Sequence, residues 1–269
     1  MNANPTPTPL VFFGHGSPMA ALIPNAISEG WRTAVAGLPK PKAILCVSAH
    51  WETRVTAVTA MTRPRTIHDF GASFPKALFD MQYPAPGDPA LAHRVAELLA
   101  PTPVMMDEGE WGLDHGTWSV LVHAFPGADV PVVQLSLDVS LTPQQRFDIG
   151  RRLSPLRDEG VLIIASGNIV HNLRTMDWNN VACDPFDWAA RFNNEMRDAI
   201  LKDEPDRVMA FEAMGEAARL AAPTPEHFWP LLYILGARRP GDAVRFFNDR
   251  VEHGSLGMTS VVLDQAQAA

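Results

Sequence analysis

The stretch LVFFGHG, residues 10–16, places four consecutive apolar residues before a histidine that lies between two glycines. An apolar run without polar alternation is typical of a strand whose two faces are both covered. Runs of the same kind recur at residues 43–48, 130–137 and 161–165. The sequence therefore predicts a sheet whose strands are buried on both sides.

Helix-like stretches separate these runs, at residues 89–99, 117–124, 143–157, 185–202 and 206–221. Strands that alternate with helices require crossover connections, and these produce a largely parallel or mixed sheet. Two late runs, residues 244–248 and 259–263, are typical of antiparallel additions at an edge. We therefore expect one α/β domain, residues 1–269, with a central mixed sheet, helices on both faces and a flexible N-terminal segment at residues 1–9.

The composition argues against several classes of protein. The 269 residues carry 22 Lys and Arg against 30 Asp and Glu, and a net charge of −8 argues against a duplex nucleic-acid binder. Hydrophobic residues make up 46%, which excludes wholesale disorder. The apolar runs are far shorter than the roughly 20 residues of a membrane span, and residues 1–9 have no signal-peptide pattern. We therefore expect a cytoplasmic protein with neither nucleic acid nor a membrane among its partners.

Three histidines follow predicted strands at the point where each strand ends. His15 follows the first run, His50 follows residues 43–48, and His171 follows residues 161–165 after a short polar connection. Loops that leave the carboxyl ends of the strands of an open α/β sheet meet at one crevice, where ligands bind. The sequence therefore predicts that these imidazoles lie together at one end of the sheet.

A fourth histidine follows a pattern typical of a helix start. Thr224 is placed to cap the helix and Pro225 to occupy its first position, which puts His227 in the first turn of a helix over residues 228–235. Four imidazoles are enough to bind a divalent metal ion. Since no His-Glu-x-x-His motif or cysteine pair is present, a structural role for each histidine remains an alternative.

The remaining candidates are open to two interpretations. His115 either belongs to a helix start that Asp114 or Thr117 caps, or donates a hydrogen bond into the pocket. His68 is in a loop that can border a pocket, whereas surface or packing roles are expected for three others, His93, His123 and His253. Cysteines 46 and 183 are expected to be free thiols, the first inert within a strand.

Six ordered motifs together resemble one known family. They lie at residues 13–19, 48–51, 66–75, 113–116, 166–172 and 225–228. The chain resembles, over residues 11–263, the DODA-type (4,5-DOPA dioxygenase-like) family of class III extradiol ring-cleavage dioxygenases. The resemblance implies an oxidoreductase with a single α/β domain and a metal at one end of the central sheet.

The resemblance also implies a role for each histidine of the motifs. It makes His15, His50 and His227 the metal ligands, His171 an additional ligand or the acid/base, and His115 the group that stabilises dioxygen or a developing oxyanion. The wider superfamily has a glutamate as third ligand, and His227 replaces it here as in the DODA branch. Glu226, about 100° around the expected helix, should then point elsewhere.

The expected activity is the metal-dependent opening of a catecholic ring by O₂. One divalent ion per chain is expected: Fe(II) for ring cleavage, although three imidazoles also suit Zn(II) as the bound ion. A zinc hydrolase using metal-bound hydroxide and a non-enzymatic binding protein on the same fold are the alternatives. Four side chains could line an aromatic substrate slot or pack under a loop: Trp51, His68, Phe70 and Phe74. No pattern indicates an oligomeric state.

Overall fold

A mixed sheet of eight strands forms the centre of the computed structural model, which describes residues 6–265. The strands are β1 Leu10–Gly14, β2 Ala43–Thr53, β3 Ala57–Thr59, β4 Arg65–Thr66, β5 Met105–Asp107, β6 Gly112–Leu113, β7 Val132–Asp138, β8 Val161–Gly167, β9 Asp242–Phe247, β10 Val251–Glu252, β11 Leu256–Gly257 and β12 Ser260–Gln265. In the large sheet their order is β5-β3-β7-β2-β8-β1-β12-β9. The small pairs β4-β6 and β10-β11 lie outside it.

The centre of the large sheet is parallel and its edges are not. Strands β7, β2, β8 and β1 run parallel to one another. At one edge β12 pairs antiparallel with β1 and with β9. At the other edge β3 is antiparallel to β7 and parallel to β5. The expectation of a mixed sheet with late antiparallel strands is confirmed.

Helices cover both faces of the sheet, as expected. They are α1 Ala26–Val35, α2 Lys76–Phe79, α3 Pro89–Leu99, α4 His115–Ala124, α5 Pro143–Leu153, α6 Asp187–Leu201, α7 Pro205–Met209, α8 Glu216–Ala221 and α9 Trp229–Ala237. Alternate residues of β1 enter two separate hydrophobic cores, Leu10 and Phe12 on the side of α5, α6 and α9, Val11 and Phe13 on the side of α1 and α4. None of the helices within residues 6–265 is long and apolar enough to cross a membrane.

Two expected elements differ most clearly from the structure. The stretch 206–221 is not one helix, because Gly215 adopts φ +83° and ψ −149° and separates α8 from α7 and the 3₁₀ turn Phe211–Ala213. This left-handed backbone favours glycine and interrupts helical hydrogen bonding. Strand β2 continues past Ser48 to Thr53, with a register shift against β7 between Val47 and Glu52.

The two cysteines are free thiols, and part of the N-terminal segment is bound to the sheet. Cys46 and Cys183 are both free, as expected, and Cys46 is fully buried within β2. Burial raises the pKa of the Cys46 thiol far above its ordinary value. Of the expected flexible segment, residues 1–5 lie outside the described residues, and Thr8 donates a hydrogen bond from Oγ1 to the carbonyl oxygen of Val161 at 2.5 Å.

Candidate metal centre

His15 leaves the carboxyl end of β1 with its imidazole held in one orientation. Its backbone N–H donates to the carbonyl oxygen of Gly167 at the end of β8, at 3.1 Å. The hydroxyl of Ser166 donates to the carbonyl oxygen of Gly116 at 2.6 Å, so its oxygen accepts from Nδ1 of His15 at 2.9 Å. A neutral imidazole that donates through Nδ1 has its lone pair on Nε2. The ring therefore presents Nε2 as a potential metal ligand.

The sequence places His50 after a strand that ends at residue 48. In the structure, His50 lies within β2, in the irregular part of that strand. Register shifts of this kind redirect side chains and are frequent beside active sites. Nε2 of His50 is 3.0 Å from Nε2 of His15, and Nδ1 is 3.2 Å from a carboxylate oxygen of Asp69. A Cβ atom on Gly116 would lie 2.8 Å from the His50 ring, so the glycine leaves the space that this ring occupies.

His227 does not lie in a helix, contrary to the sequence prediction. Helix α9 begins at Trp229, with Pro230 in its first turn, and Thr224 donates to the Glu226 carboxylate at 2.9 Å and does not cap a helix. The carbonyl oxygen of Pro225 accepts from the N–H groups of residues 228 and 229, which forms a turn just before α9.

The position of Glu226 also corrects the prediction. Its carboxylate lies 3.0 Å from Nδ1 of His227, so it does not point elsewhere. Because residues 224–228 form a turn, the angular spacing of a helix does not apply to neighbouring side chains there. Glu226 is thus a hydrogen-bond acceptor that leaves the lone pair of His227 on Nε2.

The turn that carries His227 is docked on the end of β8. The N–H of Asn168 donates to the carbonyl oxygen of His227 at 2.8 Å. A Cβ atom on Gly167 would overlap the same carbonyl oxygen, so only glycine permits this approach. Long-range packing, and not a local helix start, therefore sets the position of this histidine.

These contacts bring His15, His50 and His227 together. The ring centroids are 5.1 to 5.3 Å apart, and one potential ligand atom from each residue lies within 4.8 Å of the others. Histidine ligands of metals are usually held through the second ring nitrogen by a carboxylate, carbonyl or similar acceptor. Each of the three rings has an oxygen of another side chain within 3.2 Å of Nδ1, so this donor set fits a divalent ion. The ligand roles themselves stay a prediction.

The electrostatics of the cluster favour neutral imidazoles. Burial, followed by repulsion from His50, lowers the pKa of His15 well below its usual value. Burial and then His171 do the same to the pKa of His227, and burial and then His115 lower the pKa of His50 to about 3. Since the neutral imidazole is the form that binds metals, protons compete weakly for these lone pairs at neutral pH.

Asp69 is a residue of the site that the sequence interpretation missed. One carboxylate oxygen accepts from Nδ1 of His115 at 3.0 Å and lies 3.2 Å from Nδ1 of His50, and the other accepts from the His115 backbone N–H at 2.8 Å. Burial alone would raise the pKa of Asp69, but hydrogen bonding from His115 keeps this pKa below its ordinary value. Its place within the motif at residues 66–75 was the available signal, since buried histidines require acceptors.

Both interpretations of His115 describe part of the structure. Asp114 caps α4 by accepting from the N–H of Thr117 at 3.1 Å, and His115 is the first residue of that helix. The ring of His115 also lines the cavity beside the cluster, 3.9 Å from the ring of His50. Its Nδ1 is bound to Asp69, so the opposite edge of the ring is free to face a ligand.

His171 lies against the cluster without belonging to the close group of three. Its ring stacks on that of His227, with centroids 3.5 Å apart and planes inclined by 7°. The backbone N–H of His171 donates to the carbonyl oxygen of Ala221 at 2.7 Å. Burial lowers the pKa of the side chain to about 4. The neutral ring lines the same cavity as the rings of His15, His50, His115 and His227.

A cavity of about 500 Å³ opens above the histidines. Phe70 and Phe74 line it, as two of the expected slot residues. Trp51 instead stacks on Trp111 at 5.7 Å, and His68 bonds to the carbonyl oxygen of Met81. These two side chains therefore pack within the fold and do not form the slot.

Of the histidines expected to have surface or packing roles, one packs within the fold and another also lines the cavity. His123 bonds to the carbonyl oxygen of Ala20. His253 bonds through Nδ1 to the carbonyl oxygen of Asp177 at 2.8 Å, and its ring also lines the cavity. Its adjacent residue, Glu252, lines the cavity as well, and neither position carried a signal in the sequence.

The chain is similar to known ring-opening dioxygenases over most of its length. It is 48% identical to the 4,5-DOPA dioxygenase extradiol of Escherichia coli (strain K12), covering 95% of this chain and 94% of that one. It is 40% identical to the 4,5-DOPA dioxygenase extradiol of Portulaca grandiflora, covering 93% of each. The crystal structure of an uncharacterized protein of Escherichia coli K12 superposes with a TM-score of 0.82 at 44% identity, covering 95% of this chain and 99% of that one.

The family assignment follows from these relatives and from a match to a family as a whole. Residues 14–263 match the family described as the catalytic LigB subunit of aromatic ring-opening dioxygenase. The match includes all five histidines of the site. The expected membership is confirmed: the chain belongs to the LigB family of aromatic ring-opening dioxygenases.

Proposed function

We propose that this protein is a metal-dependent extradiol dioxygenase that opens the ring of a catechol with O₂. The observation that carries the proposal is the convergence of three imidazoles, each with Nδ1 beside an oxygen of another side chain, at a cavity with aromatic walls. The names of the relatives support the same reaction, since they are extradiol dioxygenases.

Nε2 atoms of His15, His50 and His227 would hold one divalent ion. Neutral imidazoles suit both Fe(II) and Zn(II), and ring cleavage requires a redox-active ion. When bound there, Fe(II) would supply the electron transfer that lets a catechol react with O₂. Ser166, Asp69 and Glu226 would fix the three rings from behind and make them better donors.

His171 would transfer the proton of a catechol hydroxyl. Its ring faces the cavity and stacks on His227, so a hydroxyl bound at the cluster would be within reach of a ring nitrogen. The same imidazolium can return the proton later in the reaction. This role makes His171 the acid/base, and not an additional ligand.

His115 would stabilise negative charge that develops on oxygen. Its Nδ1–H is bound to the Asp69 carboxylate, which compensates the positive charge when Nε2 also carries a proton. Because Asp69 also holds the backbone N–H of His115, the ring is positioned before a ligand arrives. Phe70 and Phe74 would receive the aromatic ring and exclude water from it.

The decisive experiment is anaerobic loading with Fe(II), followed by air and a panel of catechols. We expect O₂ uptake and a yellow product with the wild-type protein, and loss of both with His171→Ala. His93→Ala is the matched control, because His93 is exposed on α3 and should leave the rate unchanged.

Two outcomes would contradict the proposal. The absence of O₂ uptake with every catechol, in protein shown to be fully loaded with Fe(II), would reject the oxygenase. Anaerobic hydrolysis of an ester or amide by the zinc-loaded protein would then support the hydrolase, since Zn(II) has no redox chemistry and activates water at neutral pH.

A further inference from the structure

The cavity above the histidines has an unequal distribution of charge. Among the described residues that line it, Glu252 is the only carboxylate and none is Lys or Arg. The other walls are largely apolar, with Phe70, Phe74, Met176 and Met258 among them. A ligand in this cavity therefore meets a single formal charge at neutral pH, and that charge is negative.

Strand pairing places Glu252 at a defined position relative to the histidines. Glu252 pairs with Leu256 in the antiparallel pair β10-β11, and Leu256 forms a bridge with His171. Residues directly opposite each other in antiparallel strands project their side chains to the same face. The three side chains accordingly all line the cavity, with Glu252 and His171 two strand spacings apart, about 10 Å.

The carboxylate of Glu252 has no ion-pair partner among the residues that the structure describes. Arg250 and His253 are near enough to lower its pKa, but within residues 6–265 no cationic group comes within 4.0 Å of it. Burial dominates and raises the pKa of Glu252. A partly desolvated carboxylate without a partner costs free energy, and a cationic ligand group would offset that cost.

The space between the two groups fits an apolar spacer. Leu256 lies between His171 and Glu252 in the register, and the mouth of the cavity is lined by three exposed apolar side chains, Leu173, Trp178 and Val181. An aromatic ring at the histidines would therefore reach Glu252 through a short alkyl chain, and the end of that chain would meet the carboxylate.

We propose that Glu252 determines specificity, selecting catechols whose side chain ends in a protonated amine over those that end in a carboxylate. This inference rests on the proposed function, because it places the catechol ring at the histidines. A ligand carboxylate at the same position would face Glu252, and no Lys or Arg of the cavity wall would neutralise it. Selectivity therefore comes both from attraction of the amine and from repulsion of the carboxylate.

Steady-state kinetics of the Fe(II)-loaded protein with three catechols test the proposal. Dopamine ends in a protonated amine, 4-ethylcatechol is uncharged, and dihydrocaffeate ends in a carboxylate. We expect the wild type to have its highest kcat/KM with dopamine and its lowest with dihydrocaffeate. In Glu252→Gln, kcat/KM for dopamine should fall by about tenfold, and that for 4-ethylcatechol should stay within about twofold, since only a charged hydrogen bond is lost. Glu252→Lys should reverse the preference toward dihydrocaffeate.

The matched control is Glu108→Gln, which removes the same charge from an exposed site outside this cavity. An equal loss for dopamine and 4-ethylcatechol in Glu252→Gln would overturn the proposal, because it would indicate a structural role. So would an unchanged order of preference in both Glu252 variants.

Anaerobic calorimetry separates this inference from the proposed function. Dopamine should bind the wild-type protein more tightly than 4-ethylcatechol does, and Glu252→Gln should abolish the difference. If no catechol is consumed but this difference is measured, the dioxygenase proposal fails and the role of Glu252 stands. If catechols are consumed without the difference, Glu252 does not select the amine.

Discussion

The imidazoles of His171 and His227 are stacked in parallel, with their centroids 3.5 Å apart. Parallel rings present their nitrogens in the planes of the rings, so the lone pairs of the two imidazoles do not converge on one point. The group of potential ligand atoms formed by His15, His50 and His227 does not include His171, which instead forms a separate group with Glu226 and His227. In the proposed function, metal binding belongs to His227 and proton transfer to the adjacent ring of His171.

This division predicts different metal affinities for two alanine variants. His171→Ala should bind one divalent ion with an affinity close to that of the wild type. The metal affinity of His227→Ala should decrease by more than about 100-fold, which exceeds the roughly 10–100-fold effect of removing a hydrogen-bond partner of a ligand. Competition with a chelator of known affinity measures both values. An equal loss in the two variants would make His171 a ligand.

Asp69→Asn should weaken metal binding without removing one of the proposed ligands. One carboxylate oxygen lies within 3.2 Å of Nδ1 of both His50 and His115, and the other accepts from the His115 backbone N–H, whereas an amide has only one accepting oxygen for these groups. We expect metal affinity to decrease by about 10–100-fold, as measured by chelator competition. Asp80→Asn, at an exposed ion pair with Lys76, is the control and should leave the affinity unchanged.

Gly167→Ala should destabilise the fold and the site together. A Cβ atom at this position overlaps the carbonyl oxygen of His227, so the turn must move away from β8. We expect the free energy of unfolding to decrease by about 1–3 kcal/mol in urea titrations, with weaker metal binding. Gly37→Ala is the comparison, since a Cβ atom there meets nothing within 4 Å. Equal stability of the two variants would exclude this account of Gly167.

The two thiols should differ in their reactivity toward an alkylating reagent. Burial raises the pKa of Cys46, so its reactive thiolate stays scarce even at about pH 9, above the ordinary thiol pKa of about 8.5. Cys183 is only half-buried and should be modified first. Mass spectrometry of the native protein should find one modified thiol, at Cys183, and two after denaturation. Modification of Cys46 in the native protein would contradict the burial argument.

The sequence was sufficient for the sheet and for the approximate position of the site. Continuous apolar runs predict the central strands because both faces of those strands are covered by helices. The rule that loops meet at the carboxyl ends of parallel strands is enough to bring His15, His50 and His171 to one end of the sheet. These features depend on local patterns and on general topology, which a single sequence contains.

The errors occur where distant contacts decide a local conformation. Thr224 and Pro225 match a helix start, yet the turn that follows is set by docking of the His227 carbonyl on β8. Asp69 is identified only by its partners, which lie far away in sequence. Glu252 likewise enters the cavity through its register with Leu256, a pairing that no periodicity indicates.

The pairing of β1 also has a consequence for the order of events during synthesis. Strand β1, which precedes His15, forms hydrogen bonds with β8 and with β12 and therefore waits for segments that leave the ribosome much later. Contacts between such distant segments slow folding. His227 also emerges late, so a nascent chain cannot assemble the three-imidazole cluster until most of the polypeptide has been made. Binding of the proposed ion would then be a late step, and the ion bound would depend on the metals that surround the finished protein at that time.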